Sequence, residues 1–386
     1  MLRNRLCYGL VLLGTGLFFL CYNGYVSYYV FLLSLLLPVV SLVLSLPGML
    51  TMRLSLSLDS PDPYLAHLRK GEAVTLRLGA RCPWPFTGSR VKLRLAVRNT
   101  LTGEERREWL VLVPSREALT LEHSLASPTC GLVECTLARA KACDLLGLFS
   151  LPVGVKRLPA CRAFFFPGVY SPLLQAERLP ALDGEGERYS PTKPGDDPTE
   201  LFGLRPYRQG DRLSQVHWKL SQKAGQTLVK ELSLPVSDHI LFLLDLNGSG
   251  WDADLLLDAF ATLSDFLVQQ GIAHRVGFLG KAGGFRLMEL TAPQDTRPAL
   301  EALLTLEGRA PLPPLAREDL PGGVSHALVL TARTREPLLA LLRDRYPSAR
   351  CTVIRAFSQG DGPLGEGDQI LLRPGRVQEA LQGLTL

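Results

Sequence analysis

The stretch LCYGLVLLGTGLFFLCYNGYVSYYVFLLSLLLPVVSLVLSLPGMLTM, Leu6 to Met52, contains no charged residue; Arg5 precedes it and Arg53 follows. One membrane-crossing helix uses roughly 20 apolar residues, so the run divides into two spans and a reversal. The reversal reads at Tyr22-Asn23-Gly24-Tyr25, where Asn-Gly supplies the positive φ of a sharp turn. The first span covers about Leu6 to Tyr22 and the second Val26 to Leu46. Tyr8, Tyr22, Tyr25, Tyr28 and Tyr29 stand near their ends, where amphipathic rings settle at headgroup level. A cleaved signal peptide has one short apolar core, and here a second, longer one follows at once. A helical hairpin buried in a soluble core would keep a polar stripe, which these segments lack.

Arg3 and Arg5 lie before the first span, Arg53 lies after the second, and the connecting turn carries no charge. Basic residues stay on the cytoplasmic side, so the expected protein is a two-pass protein of the cell membrane with both termini and its main domains cytoplasmic. The whole chain of 386 residues carries 42 basic and 37 acidic residues, too even a balance for a nucleic-acid binder and compatible with a position near anionic lipid. Its length exceeds what one core organises. The eight cysteines form no CxxC pair or zinc-ribbon spacing, which points to buried free thiols in a reducing compartment.

Beyond the anchor the rhythm is short and β-like. Leu54, Leu56 and Leu58 alternate with serines, Val74, Leu76 and Leu78 with polar neighbours, and Val91, Leu93, Leu95 and Val97 with Lys92, Arg94 and Ala96. The stretches 109–113 and 132–138 continue the pattern, which reads as an antiparallel, immunoglobulin-like β-sandwich over residues 51–157. From Leu158 to Glu200 periodicity fades, and Asp183 to Pro198, rich in Gly, Pro and charge, reads as a connecting loop.

From about His239 the rhythm changes again. Ile240-Leu-Phe-Leu-Leu-Asp-Leu246 is the continuous apolar run of a fully buried parallel strand. A helix from about Ala253 to Gln270 follows, ending at Gly271; strands at 275–279, 327–330, 351–356 and 369–372 then alternate with helices at 298–306, 336–346 and 376–381. That alternation describes a doubly wound α/β domain.

In such a sheet, ligands meet the carboxyl ends of the strands. After the first buried strand stand Asp245, Asn247 and Ser249, a carboxylate, an amide oxygen and a hydroxyl separated by single residues, a set suited to a hard cation such as Mg²⁺. The same residues also suit a purely structural role, capping the next helix and satisfying strand-end amides. The pattern resembles the Asp-x-Ser-x-Ser metal-ion-dependent adhesion motif of von Willebrand factor A domains, with Asn247 in place of its first serine. Those domains add an acidic residue after a later strand, where this chain has Leu330-Thr331-Ala332-Arg333.

A second constellation spans Leu204 to Lys219. Arg205 and Tyr207 share one face of an extended segment, Gly210-Asp211 marks a turn, and Val216 and Trp218 share a face opposite His217 and Lys219, with Trp218 burying a large surface. Arg205, Arg208, Asp211 and Lys219 are placed to make charge-assisted bonds that clasp this segment to its neighbours. Catalysis has no visible carriers. The six histidines form no HExxH pair, there is no GxSxG elbow, and Gly280-Lys-Ala-Gly-Gly284 lacks the Gly-Lys-Ser/Thr ending of a phosphate loop.

The segment Leu204-Arg-Pro-Tyr-Arg-Gln-Gly-Asp211 with Val216-His-Trp-Lys219 resembles the signature of the domain-of-unknown-function fifty-eight family, Leu-Arg-x-Tyr-x-x-Gly-Asp followed by Ile/Val-x-Trp-Lys/Arg. Asp144-Leu-Leu-Gly-Leu-Phe149 is similar to the Asp-Pro-Phe-Gly-Leu-Phe turn that precedes it there. The arginine usual before the Ile-x-Trp element is Ser214 here. The resemblance covers nearly the whole chain. It implies residues 1–50 as two transmembrane helices, 51–157 as the β-sandwich, 158–236 as linker and signature, and 237–386 as a von Willebrand factor A-like domain. It further implies a non-enzymatic adaptor at the membrane, partnered by a MoxR-type AAA+ ATPase in a chaperone-like or envelope-associated system. A divalent-cation-dependent binding module built on Asp245 is the alternative.

Overall fold

The computed structural model describes residues 2–22, 24–84, 90–114, 120–155, 158–174, 188–195, 197–208, 211–236, 239–280, 283–306, 311–333, 335–347, 349–356, 369–384 and 386. The chain divides into two compact units, Met1–Pro167 and Gly168–Leu386.

The first unit opens with helices α1, Leu2–Cys21, and α2, Tyr25–Thr51. Their mean hydropathies, 1.5 and 2.5, and their lengths are sufficient to cross a membrane. The turn between them differs from expectation: Gly24 has φ −127° and serves as the extended N-cap of α2, while Asn23 lies outside the described residues. Within α2, Pro38 has no N–H, so the carbonyl of Ser34 one turn earlier loses its helical partner. The Tyr8 hydroxyl of α1 donates to that carbonyl, and Thr15 Oγ1 lies 3.0 Å from Ser34 Oγ. With Phe19 stacked on Phe31, these contacts fix the antiparallel register of the hairpin.

Strands β1 (Arg53–Leu58), β2 (Leu65–Arg69), β3 (Ala73–Arg81), β4 (Val91–Asn99), β5 (Glu105–Leu112), β6 (Thr120–Ala126), β7 (Gly131–Cys143), β8 (Ser150–Val153) and β9 (Cys161–Phe166) follow. They form one sheet of order β1-β3-β6 and a second of order β2-β9-β7-β4-β5, with β8 beside β7. Leu56, Leu76, Leu78, Val91, Leu93, Leu95, Cys135 and Phe165 from both sheets fill one core, and Met49 and Met52 from the end of α2 enter it. The last turns of α2 are thus part of the β core. β9 lies where periodicity was expected to fade, and its Cys-Arg-Ala-Phe-Phe-Phe run is buried apart from Arg162 and the half-buried Phe166. All eight cysteines are free thiols; burial pushes Cys135 up to about 12 and Cys161 up to about 11.

The second unit begins with β10 (Arg188–Gly195) and β11 (Asp197–Pro206), both antiparallel to β12 (Leu228–Val236), with helix α3 (Trp218–Ala224) between β11 and β12. The expected loop from Asp183 to Pro198 is therefore strand from Arg188 to Gly195; residues 183–187 and 196 lie outside the described residues. Cross-strand pairing with β12 overrides the turn-rich composition there.

Then come β13 (His239–Asp245), α4 (Gly250–Gln269), β14 (His274–Leu279), β15 (Phe285–Leu290), α5 (Pro293–Leu304), β16 (Val324–Thr331), α6 (Glu336–Arg345), β17 (Arg350–Ala356), β18 (Gln369–Leu372) and α7 (Val377–Leu381). The six strands are ordered β15-β14-β13-β16-β17-β18, all parallel except the edge strand β15. Alternate residues of β13 serve opposite faces. Phe242 meets Phe260 of α4 edge-on, while Leu241 and Leu243 join Leu338, Leu339 and Leu342 of α6. Helices thus cover both faces, and the order of strands reverses between β13 and β16.

Candidate functional site

The reversal point is where Asp245 and Thr331 end their strands side by side. Asp245 is fully buried. Its Oδ1 accepts the Leu312 N–H at 2.8 Å and lies 3.7 Å from Arg335 Nη1; its Oδ2 accepts Asn247 Nδ2 at 2.8 Å and Thr331 Oγ1 at 3.4 Å. Burial pushes the carboxyl up from the usual carboxylate range, and the Leu312 amide and the Arg335 guanidinium pull it back. Asn247 bridges the two strand ends, donating to the Arg333 carbonyl at 2.8 Å and accepting the Arg333 N–H at 2.9 Å through Oδ1. Arg335 in turn donates to the Leu312 carbonyl at 2.7 Å.

Ser249 is the N-cap of α4: its Oγ accepts the Asp252 N–H at 3.2 Å and its own N–H donates to Asp252 Oδ2 at 2.7 Å, closing a capping box. Gly248 makes the turn possible, because a Cβ there would stand 2.3 Å from Ala332 Cβ. The three oxygen donors expected to gather on a cation therefore each have internal partners, and a guanidinium stands beside the one carboxylate. Among the described residues, no group of three His, Cys, Asp or Glu side chains converges. As arranged, Asn247 ties the ends of β13 and β16 together and Ser249 caps α4.

The second constellation is built on β11 and the residues after it. Arg205 grips Asp211 with two bonds of 2.7 Å, and its Nε lies 3.1 Å from Glu231 on β12. Asp211 also accepts the Arg208 N–H at 2.7 Å, so it staples the turn; Gly210 itself lies outside the described residues. These bonds hold the Asp211 carboxyl down to about 2. Tyr207 donates its N–H to the Thr227 carbonyl, and its ring is half exposed. The partners of Arg205, namely the Pro206 carbonyl, Asp211 and Glu231, all belong to this segment and β12.

Trp218 departs from expectation. Val216 is buried through its bridge to Val229, but His217 N-caps α3, its Nδ1 accepting the Leu220 N–H at 3.4 Å. The chain turns helical at Trp218, so the indole leaves the face of Val216 and is 64% exposed. Lys219 is exposed and makes no ion pair among the described residues. Between Leu204 and Ala224, five basic residues accompany the single carboxylate Asp211, which is held by Arg205. Trp218, Tyr207 and Leu220 are exposed, as are Arg208, Arg212, Lys219 and Lys223 of the same segment.

The Asp144–Phe149 turn was legible as a motif, but not as a joint. Asp144 is buried and accepts Ser41 Oγ of α2 at 2.9 Å and the Phe149 N–H at 2.8 Å. Asn4 and Arg5 of α1 donate to the carbonyls of Leu146 and Leu148 at 3.0 and 2.9 Å. Small residues repeating at Ser41, Ser45 and Gly48 were the available signal for a packed face on α2.

No family model matches the chain, and no curated protein matches it. Among solved structures, a Paenibacillus cycloisomaltooligosaccharide glucanotransferase in complex with cycloisomaltoheptaose shows 9% identity and a TM-score of 0.16. The match covers 78% of this chain and 44% of that one, so the chain spans less than half the length of that structure. A likeness at that level carries no argument about fold or activity.

Proposed function

We propose that this chain is a membrane-tethered interaction protein: the hairpin α1–α2 spans the bilayer with both termini cytoplasmic, and the second unit docks a cytoplasmic protein. The observation that carries the reading is Trp218, a large aromatic side chain left 64% exposed on a helix that is held to β12 by the His217 N–H donating to the Leu228 carbonyl and the Leu228 N–H donating to Ser221 Oγ at 2.9 Å. An exposed tryptophan in a segment rich in basic residues has the composition of an interface anchor rather than of an idle surface. The strand order with its reversal at Asp245 suits a von Willebrand factor A-like domain, and the two sheets of the first unit suit an immunoglobulin-like sandwich. Together with the signature at Arg205, Tyr207, Asp211, His217, Trp218 and Lys219, these features support membership of the domain-of-unknown-function fifty-eight family. That membership implies a MoxR-type AAA+ ATPase as the partner. The proposal contains no catalytic step.

Copurification from detergent-solubilised membranes tests it. In a host that encodes such an ATPase beside it, the wild type is expected to bring the ATPase down, and Trp218→Ala to lower the yield at least several-fold with the thermal midpoint unchanged; recovery of no ATPase by the wild type overturns the reading. The cation-dependent alternative draws on the position of Asp245 in the crevice. It requires the Asn247 amide to turn its oxygen inward and Arg335 to withdraw, so the present arrangement favours the first reading. Calorimetric titration with Mg²⁺ that gave binding in the wild type and none in Asp245→Ala would restore it.

A further inference from the structure

The outer face of the second β sheet carries an unusual arrangement. Across three neighbouring strands the register sets Val111, Lys92 and Lys141 in one row, and Trp109, Arg94 and Arg139 in the next. Like charges thus stand directly opposite each other twice between β4 and β7, a pairing that costs stability unless an anion lies over it. The neighbouring carboxylates are engaged: Glu134 is paired with Arg162 at 3.0 Å, and Glu105 with Arg107, its charge reaching Arg94 more weakly. Arg94 lies over the exposed Trp109 ring, 5.6 Å from its centroid; Lys92, Arg139 and Lys141 make no ion pair among the described residues.

The position of this face along the molecule is set by hydrogen bonds. Lys141 is three residues before Asp144, about 10 Å along the strand. Asp144 and the turn it opens are bonded to Ser41, Ser45, Asn4 and Arg5 of the hairpin. From Tyr25 to Ser41, and from Cys21 back to Arg5, each helix rises about 24 Å. That approaches the ~30 Å thickness of a bilayer's hydrocarbon. The turn therefore stands at the depth where hydrocarbon gives way to headgroups, with Leu145 and Phe149, 44% and 41% exposed, at its surface. The opposite end of β4 and β5 presents Glu104, Glu105, Arg106 and Arg107 instead, a mixed-charge end with no apolar contribution.

We propose that this end of the first unit is an anionic-lipid contact surface: Leu145 and Phe149 rest at the acyl boundary, and Lys92, Arg94, Arg139 and Lys141 hold headgroup phosphates of the same leaflet. The proposal rests on the reading that the hairpin spans the bilayer. Trp109 and Val111 complete it, an amphipathic ring and an apolar neighbour beside the cations in the same two rows. The anionic lipid offsets the repulsion between the paired cations and fixes the tilt of the β unit on its anchor.

The test uses the full chain, with Cys7→Ser, Cys21→Ser and Cys351→Ser so that the native thiols left are the buried ones, in lipid discs containing phosphatidylglycerol. A fluorophore is placed at Val111→Cys on the patch, at Glu104→Cys on the far end, or at Leu35→Cys within α2. Nitroxide on lipid headgroups is expected to quench the Val111 label several-fold more than the Glu104 label. The excess should disappear in discs of phosphatidylcholine alone and in the variant Lys92→Gln/Arg94→Gln/Arg139→Gln/Lys141→Gln. That variant should melt no lower than the parent, since it removes like-charge pairs, so its loss of quenching is not a loss of fold. Equal quenching at Val111 and Glu104, or quenching unaltered by the four substitutions, overturns the proposal while acyl-chain quenching at Leu35 leaves the spanning hairpin standing. A Leu35 label that acyl-chain nitroxide fails to quench overturns both.

Discussion

Asp245 shows how one buried carboxylate organises the end of a sheet. It receives an amide N–H, a side-chain amide, a hydroxyl and a guanidinium from four different places in the chain. Asp245→Ala takes the acceptor from the buried Leu312 N–H and removes one of the acceptors shared by Asn247, Thr331 and Arg335, leaving a guanidinium without its counter-charge, at a cost of about 3 kcal/mol. Asp245→Asn keeps the shape and two acceptor lone pairs, so chemical denaturation should rank wild type above Asn and Asn well above Ala. His274 makes a different prediction. It is fully buried against Phe242, its Nε2 accepting from Ser264 Oγ at 2.8 Å, and burial holds its imidazole below the ordinary value while the Ile272 carbonyl pulls it up weakly. The unfolded chain takes up a proton as pH falls through about 6.5 and the folded chain resists it, so the stability His274 contributes is full above that pH and is lost below it. Urea midpoints taken from pH 7.5 down to 5.5 should fall less steeply in His274→Gln than in wild type.

At the scale of the element, the hairpin is held by the consequences of its own prolines. Pro38 frees the Ser34 carbonyl, and Tyr8 from the other helix satisfies it. Tyr8→Phe keeps the ring and removes the donor, leaving that carbonyl unpaired inside the helix pair, at a cost of about 1 kcal/mol. A lower thermal midpoint in detergent for Tyr8→Phe, and no change for the neighbouring Cys7→Ser, checks it. The long apolar helices and the buried central strands were readable because burial on all sides leaves an unbroken apolar run, as at Ile240–Leu246. Two edge strands, β15 and β10, were not. β15 at the margin of its sheet, Phe-Arg-Leu-Met-Glu-Leu, is largely exposed and owes its place to pairing with β14 rather than to its own pattern. β10 rests on the same kind of pairing, against a composition that reads as loop. Trp218 was assigned to the interior because a large aromatic usually buries itself, and one N-capping histidine was enough to send it outward.

For the whole molecule, the anchor and the first β core are one folding unit, which the charge-free run alone did not disclose. From the sequence the two divide at residue 50; α2, about 40 Å long, is longer than a bilayer's hydrocarbon is thick and carries Gly48, Met49 and Met52 into the β core. Gly48 packs closely there, with Cys82 Sγ 3.2 Å from where its Cβ would stand. Trp84 Nε1 donates to the Leu44 carbonyl at 3.0 Å, so removing the helix strips an indole of its acceptor as well as apolar cover. Two fragments should therefore behave unequally. Residues 168–386 keep the parallel sheet with its helices and a core of their own, and should unfold cooperatively as a soluble protein. Residues 53–167 retain every strand of the first unit but lose Met49 and Met52, about 2 kcal/mol of burial for each methionine, and expose the core those side chains cover. That fragment should bind a hydrophobic dye and melt over a broad range, while residues 1–167 in detergent melt sharply. Equal sharpness in the two would show that the hairpin only tethers the sandwich and does not complete it.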